Sequence, residues 1–381
     1  MHLAQITGIS TNEITKTLLI ERDDDSEQQH IAAATMSVFN FVQGIRVRSL
    51  QTMRKTITLS IYRETEVEQK MNYVCDGFWG IARRRTHAGL RIAIELFTWR
   101  LLVSRGVSLN RPLHAGAFVL NSKKNRNDKV ICGDKGRVVL SWPEGHTTYI
   151  HANWIPANGE NRYICTQNPM SGTTEDFWRM VWQEKCKAIL MLGSVVELGE
   201  KMCHQYWPVD QGHSIVCGPL TIRNVQVERL EKVFWTTLEV RNEHDNDVLI
   251  LEHILWKEWS EQGTPNEIQT WFRLMPKLGS FRTIVVHCYT GVGRTGILVG
   301  VDLCLSRLLS GERVQLSELL KEMRSFRHGA VETAAQYISM YRLIFAFATQ
   351  EKILTKKEGR NFTSGCEAFL KRENKSFPCL R

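Results

Sequence analysis

The pattern of apolar and polar positions changes at about residue 105. From there to about residue 350, short apolar runs alternate with stretches of helical periodicity, as in an α/β domain. Three short apolar runs predict strands, at residues 188–192, 248–256 and 282–287. Three longer segments repeat apolar residues every three or four positions and predict helices, at residues 176–184, 296–309 and 316–326.

The two ends of the chain carry a weaker pattern. Residues 90–103 predict a helix that packs on the following domain, whereas the basic triplet at 83–85 is either a solvated face or a nuclear localisation signal. The last residues are basic and polar. We therefore expect an N-terminal segment at 1–104 that is partly helical, one large domain at 105–350 and a flexible tail at 351–381.

The composition of the 381 residues, 43% hydrophobic and 23% charged, is that of a soluble globular protein. The net charge of +9 is spread along the chain and gives a mild preference for anionic partners. We expect no nucleic acid partner, because no basic motif with interleaved aromatic residues accompanies the charge. We also expect no membrane span, because the longest uncharged stretch, residues 31–45, is too short and too polar.

Ten cysteines are present, and none forms a C-x-x-C pair. Structural zinc sites need clustered thiolates or Cys/His pairs, so we expect no metal. The N-terminus also lacks the basic and then apolar order of a signal peptide. These features predict a cytoplasmic protein with reduced thiols.

The segment IVVHCYTGVGRTG, residues 284–296, carries the candidate chemistry. A buried strand ends at His287, a glycine-rich turn follows, and a helix begins near Gly293. Such a turn directs backbone N–H groups and a helix N-terminus at one point, which is how proteins hold a phosphate. The positive potential there favours the thiolate of Cys288, and Arg294 can bind two phosphate oxygens. A cysteine that ends a buried strand is commonly a core residue, but the complete string favours a catalytic loop.

This string resembles HCSAGVGRTG, the signature of the tyrosine-specific protein tyrosine phosphatases. Further motifs resemble those of the family and occur in the family's order: KNR at 124–126, YIHAN at 149–153, TQNP at 166–169, FWRMVWQ at 177–183, QYWP at 205–208 and AAQY at 334–337. The resemblance covers about residues 105–350. It implies the protein tyrosine phosphatase fold, a single large α/β domain with a central twisted mixed β-sheet flanked by helices.

The resemblance implies a phosphatase that acts on phosphotyrosine-containing proteins without a cofactor. Cys288 would attack phosphorus, Arg294 would stabilise the developing charge, and a carboxylic acid would protonate the leaving tyrosine oxygen. Water would then hydrolyse the phosphocysteine, with Thr295 assisting the sulfur and Gln336 placing the water. The other loop residues would bind the phosphate: Tyr289, Thr290, Gly291, Val292 and Gly293. Supporting roles would fall to His287, Glu197, which holds the arginine, and Trp259.

The departures from the family cluster at functional positions. The acid loop, usually WPDHGVP, reads WSEQGTP at 259–265, which makes Glu261 the acid. In the recognition motif KNRYxD, Asn127 replaces the tyrosine that stacks on the substrate and Lys129 replaces the aspartate. Glu332 replaces a glutamine, which would place a negative charge opposite the phosphate.

Two hypotheses stay open after these departures. One is a weak or selective enzyme, and the other is a pseudophosphatase that binds phosphoproteins with little turnover. The enzyme is the preferred hypothesis because a nucleophile, Cys288, an arginine, Arg294, and an acid, Glu261, are all present.

Overall fold

A nine-stranded mixed β-sheet forms the centre of the part of the chain that the structure describes. The computed structural model describes residues 114–366 except positions 158, 231, 246, 258, 260–267, 313, 358, 361–362 and 365. The strands are β1 (Arg137–Val139), β2 (Tyr149–Ala157), β3 (Glu160–Gln167), β4 (Ala188–Leu192), β5 (Val196–Glu197), β6 (Glu200–Lys201), β7 (Ser214–Cys217), β8 (Leu220–Leu230), β9 (Val233–Asn242), β10 (Val248–Trp256) and β11 (Ile284–Cys288). The sheet order is β1-β2-β3-β11-β4-β10-β9-β8-β7, and β5 pairs with β6 in a separate hairpin.

The middle of the sheet is parallel and its two sides are antiparallel. Strand β11 runs parallel to β3 and β4, and β10 runs parallel to β4. Every residue of β4 and β11 is buried, which explains their continuous apolar sequences. The predicted strands at 188–192 and 248–256 are confirmed with the same bounds, and the third lies at 284–288 instead of 282–287.

The helices lie on both faces of the sheet. They are α1 (Gly116–Leu120), α2 (Thr174–Gln183), α3 (Ile268–Leu278), α4 (Gly293–Leu309), α5 (Leu316–Phe326) and α6 (Ala334–Gln350), with 3₁₀ turns at Ser122–Lys124 and Ser171–Thr173. The three predicted helices are confirmed as α2, α4 and α5. Helix α2 begins two residues earlier than predicted, and α4 begins at Gly293, as the glycine-rich motif predicts, rather than at residue 296.

Two apolar layers cover the sheet, and the period of two along β11 divides its side chains between them. Val286 packs in the layer formed with α3, α4, α5 and α6, whereas Val285 packs in the layer formed with α2. The predicted fold, a mixed sheet flanked by helices in one domain, is therefore confirmed. None of the helices in the described part of the chain is both long and apolar enough to cross a membrane.

The packed core extends past residue 350, the predicted end of the domain. Ile353, Leu354 and Cys366 are all buried in the layer that contains α4 and α6. This stretch therefore packs on the domain, and the predicted flexible tail remains a prediction for residues 367–381, outside the described residues. The N-terminal segment at 1–104, its predicted helix and its basic triplet also lie outside the described residues.

Candidate active site

The segment from Cys288 to Arg294, here the nucleophile loop, connects β11 to α4 at the carboxyl end of the parallel strands. Its first two carbonyl groups point away from the loop's interior, because the backbone N–H of Asn168 donates to the carbonyl oxygens of Cys288 (2.9 Å) and Tyr289 (3.2 Å). In a trans peptide the N–H points opposite to the carbonyl. Outward carbonyls therefore turn the N–H groups of the loop toward its interior.

Arg327 holds the next two carbonyl groups outward in the same way. Its Nη2 donates to the carbonyl oxygen of Thr290 and its Nε to that of Gly291, each at 3.1 Å. Arg327 is fully buried and also donates to Asn153 Oδ1 at 2.8 Å. The carbonyl of Val292 accepts from the N–H of Val331 in turn, at 2.9 Å. Five consecutive carbonyls are thus bonded outside the loop, which leaves a concave row of N–H donors suited to an oxyanion.

The nucleophile loop and the first turn of α4 each require a glycine. Gly291 has a φ of +72°, and a Cβ there would lie 2.2 Å from the carbonyl oxygen of Thr166 in β3. A Cβ on Gly296, in the first turn of α4, would lie 2.7 Å from the backbone nitrogen of Val331. Any side chain at either position would push the loop away from its neighbours, so the glycine spacing of the motif reflects close packing.

Arg294 is buried, and one edge of its guanidinium is fixed while the other is open. Its Nη1 donates to Glu197 Oε1 at 2.7 Å and to the carbonyl oxygen of Trp259 at 2.6 Å. Its Nε and Nη2 have no hydrogen-bond partner among the described residues. Those two donors form one bidentate edge, and buried unpaired charged donors are costly unless an anion satisfies them. The open edge therefore suits two oxygens of a phosphate.

The ion pair depends on the turn before the β5–β6 hairpin. Gly193 has a φ of +109°, and a Cβ there would lie 2.1 Å from Glu197 Oε1 and 2.2 Å from Arg294 Nη1. Glu197 Oε1 also accepts from the backbone N–H of Ser194 at 3.0 Å, which fixes the carboxylate. Glu197 therefore holds Arg294 as the resemblance implies, the carbonyl of Trp259 also accepts from it, and Gly193 provides the space.

His287 lies in a buried chain of hydrogen bonds beneath the loop. Asn168 Nδ2 donates to the Met202 carbonyl, so Asn168 Oδ1 accepts from His287 Nδ1 (2.6 Å). His287 Nε2 then accepts from the Tyr206 hydroxyl (2.7 Å), which accepts from His253 Nε2 (2.8 Å). Burial lowers the pKa of His287 well below its ordinary value, and the charges of Arg294 and Arg126 add to the effect. A neutral His287 thus links the strand that carries the nucleophile to β10.

Glu332 and Gln336 flank the start of α4. A Cβ built on Gly293 would lie 2.6 Å from Gln336 Nε2 and 2.8 Å from Glu332 Oε2. The Gln336 side-chain oxygen accepts from the backbone N–H groups of Glu332 (2.7 Å) and Thr333 (3.3 Å), which caps α6. The cap fixes the Gln336 amide, and the Glu332 carboxylate stands beside the loop.

Residues 124–129, here the recognition segment, run along one side of the nucleophile loop. Arg126 Nη2 donates to the carbonyl oxygens of Asn168 (3.1 Å) and Pro169 (3.3 Å), and its guanidinium lies 4.7 Å from the ring centroid of Tyr289. Asn127 Oδ1 accepts from the backbone N–H of Lys129 at 2.7 Å, in a local turn. The Lys129 side chain is exposed.

Glu261 and Thr295 are the two other residues implied in catalysis. Glu261 lies in the part of the acid loop outside the described residues. Thr295, in the first turn of α4, is fully buried, and its hydroxyl has no hydrogen-bond partner among the described residues.

Several residues that shape the site were not singled out from the sequence. Arg327, Gly193 and His253 carry no distinctive motif. Asn168 and Tyr206 belong to the TQNP and QYWP strings, which were interpreted only as framework motifs. Those strings were a usable signal, because a buried polar residue within an apolar framework must have a hydrogen-bond partner.

Comparison with known proteins gives one consistent match. The model of the family described as protein-tyrosine phosphatase matches residues 121–346. Tyrosine-protein phosphatase non-receptor type 9 of Rattus norvegicus is 32% identical over 252 residues, which are 61% of this chain and 42% of that protein. The chain thus spans less than half the length of that relative. Probable tyrosine phosphatase protein N1 of Microplitis demolitor bracovirus is 32% identical over 234 residues, 57% of this chain and 73% of that protein.

A solved structure shares the arrangement of the sheet and helices. The catalytic domain of human protein tyrosine phosphatase non-receptor type 18 superposes with a TM-score of 0.63 at 28% sequence identity. The match covers 68% of this chain and 99% of that one.

Proposed function

The chain belongs to the protein-tyrosine phosphatase family, and from this premise we propose that it hydrolyses phosphotyrosyl proteins through a phosphocysteine at Cys288. The observation that carries the proposal is the open Nε–Nη2 edge of Arg294, buried at 1% side-chain exposure beside a loop whose five carbonyls from Cys288 to Val292 point outward. Both features suit a bound dianion, and Cys288 lies in the same loop.

In the first step the Cys288 thiolate forms a bond to phosphorus while the bond from phosphorus to the tyrosine oxygen breaks. Glu261 would give its proton to that oxygen, and Arg294 and the loop N–H groups would stabilise the charge on the equatorial oxygens. In the second step water attacks phosphorus, its proton passes to the Glu261 carboxylate, and the sulfur leaves as thiolate. Thr295 would support that thiolate, and Gln336 would position the water.

The proposed chemistry requires a reduced cysteine, which favours a cytoplasmic protein. The eight cysteines in the described part of the chain are all free thiols. A thiolate nucleophile and a guanidinium clamp also supply the two functions that a metal ion would otherwise provide, so the activity should persist in a chelator.

Hydrolysis of a phosphotyrosyl peptide by the wild type and the Cys288→Ser variant, with a chelator present, tests the proposal. We expect the wild type to release phosphate and Cys288→Ser to release none above background. Cys217→Ser is the matched control, because Cys217 is a half-buried cysteine on the edge strand β7 and should leave turnover unchanged. Equal rates for the wild type and Cys288→Ser would contradict the mechanism.

The position of Glu332 supports a second candidate, a phosphoprotein-binding module with little turnover. A carboxylate beside Gly293 repels a dianion and hydroxide-like water, while the backbone donors and Arg294 remain available for binding. Phosphopeptide binding by a wild type that releases no phosphate would favour this candidate over the enzyme.

A further inference from the structure

A site that selects phosphotyrosine must offer a surface to the phenyl ring as well as donors to the phosphate. Asn127 offers no such surface. It has no ring, and its side-chain oxygen is occupied by the backbone N–H of Lys129 at 2.7 Å. An aromatic contact of this kind contributes about 2- to 10-fold in affinity beyond burial, so its absence would leave the phosphate as the main determinant of binding.

Tyr289 is the side chain of the nucleophile loop that reaches the surface. It is half-buried, whereas every other residue from Ile284 to Gly300 is buried. Tyr289 directly follows Cys288, and the N–H of Asn168 binds the carbonyl oxygens of both. The ring therefore leaves the loop next to Cys288, at the one residue between Ile284 and Gly300 that is not buried.

Arg126 holds the Tyr289 ring from one side. Its guanidinium carbon lies 4.7 Å from the ring centroid, within the range of a cation–π contact. Arg126 is itself fixed at both ends: its backbone N–H donates to Gln167 Oε1 at 3.0 Å, and Nη2 donates to the carbonyls of Asn168 and Pro169. Arg126 belongs to the recognition segment and directly precedes Asn127, so the ring lies beside that segment. A ring held this way loses little conformational freedom when it contacts a ligand.

We propose that Tyr289 forms the aromatic wall of the substrate pocket and is the residue that makes binding selective for phosphotyrosine. In the family the aromatic ring belongs to the recognition motif. Here it belongs to the nucleophile loop and packs against Arg126. This inference rests on the proposed function for the identity of the ligand. Its test measures peptide binding and does not depend on turnover.

The test measures binding to the full chain with Cys288→Ser, by calorimetry, with two peptides of one sequence that carry phosphotyrosine or phosphoserine. Adding Tyr289→Ser should weaken phosphotyrosyl binding about tenfold and change phosphoseryl or inorganic phosphate binding less than twofold. Tyr289→Phe is the matched control, because it keeps the ring, and it should bind both peptides as the parent does. Asn127→Tyr added to Tyr289→Ser should restore selectivity, because it returns a ring to the same side of the pocket.

Three results would overturn the inference. Unchanged phosphotyrosyl binding in Tyr289→Ser would show that the ring does not contact the ligand. An equal loss for both peptides and inorganic phosphate would show that Tyr289 only maintains the loop, and failure of Asn127→Tyr to restore selectivity would point the same way. These outcomes are separate from failure of the proposed function, in which the wild type releases no phosphate whatever the selectivity of binding.

Discussion

Glu332 places a carboxylate beside the first turn of α4, close to where a phosphate would meet Gly293. Two unit charges 4 Å apart interact by about 4 kcal/mol at the effective dielectric constant near a protein surface. Even a fraction of this repulsion would lower the affinity for phosphate and slow attack on the phosphocysteine. The site would therefore combine a cradle for the phosphate with a residue that opposes the same ligand.

Replacing that charge should improve both binding and turnover. We expect Glu332→Gln to tighten inorganic phosphate binding about tenfold and to raise steady-state turnover while a phosphoenzyme burst shrinks. Competition by phosphate and rapid mixing with an aryl phosphate measure the two effects. Glu243→Gln is the control, because Glu243 is exposed in the turn before β10, at the end of that strand opposite to Trp256 and the site. Unchanged phosphate affinity in Glu332→Gln would show that the carboxylate does not oppose the ligand.

The proposed acid, Glu261, is the second residue that we expect to set the rate. Glu261 carries its carboxyl one methylene further from the backbone than the aspartate of the family, and a misplacement near 1 Å can cost about 100-fold. We expect Glu261→Asp to raise kcat about tenfold, or about 1.4 kcal/mol off the barrier. Glu261→Gln, which cannot donate the same proton, should lower kcat instead. If Asp and Gln have the same effect, Glu261 is not the general acid.

At the scale of elements, the site depends on contacts between segments far apart in the sequence. The nucleophile loop is held by Asn168, which follows β3, by Arg327, which follows α5, and by Val331, which precedes α6. The strand and the helix that the loop connects do not determine its conformation alone. A defect in any of the three supporting segments should therefore change the affinity for oxyanions.

Arg327 provides the sharpest test of this dependence. We expect Arg327→Lys to lower the free energy of unfolding by about 2–3 kcal/mol, because an ammonium cannot reach all the acceptors of the guanidinium. It should also weaken vanadate binding at least tenfold, since the carbonyls of Thr290 and Gly291 lose their donors.

Arg162→Lys is the matched control for that prediction. Arg162 donates to the carbonyls of Leu278 (3.2 Å) and Phe281 (2.9 Å), at the end of α3. The Arg162→Lys variant should lower the melting temperature without changing the affinity for vanadate. Parallel losses of affinity in both variants would mean that Arg327 contributes general stability and does not position the loop.

At the scale of the whole molecule, the sequence predicts β4, β10 and β11 and the helices α2, α4 and α5, because each has a local signature. It does not predict the parallel strand β3. It does not predict β8 or β9, whose solvent-facing residues interrupt the apolar pattern and whose pairing is irregular between Asn224 and Gln226. The motif identifies Cys288 and Arg294, since both lie in one contiguous string. It does not identify Arg327, which contacts Asn153 across 174 positions, because no local pattern records a contact of that range.

The buried histidines give the whole fold a dependence on pH. Burial lowers the pKa of His151 and His253 from 6.5 to about 3, with the charge of Arg327 adding to the effect at His151. Burial also lowers the pKa of His287 well below 6.5. A group whose folded pKa is depressed contributes stability that is complete above its unfolded pKa and is lost as the pH falls toward the folded value. The window for these groups therefore opens at about pH 6.5 and extends toward pH 3.

As the pH falls from 7.5 to 5.5, we expect the free energy of unfolding to decrease by about 1.4 kcal/mol for each of these histidines, because only the unfolded chain takes up the proton. Urea titrations at pH 7.5, 6.5 and 5.5 measure the total, and His253→Gln should reduce the pH-dependent loss by about one histidine's share. Tyr206→Phe breaks the same hydrogen-bond chain but removes no imidazole, so it should lower stability equally at all three pH values. Two results would contradict the neutral buried chain that links β11 to β10. One is a wild type whose free energy of unfolding does not fall from pH 7.5 to 5.5. The other is a His253→Gln variant whose free energy of unfolding falls as much as that of the wild type.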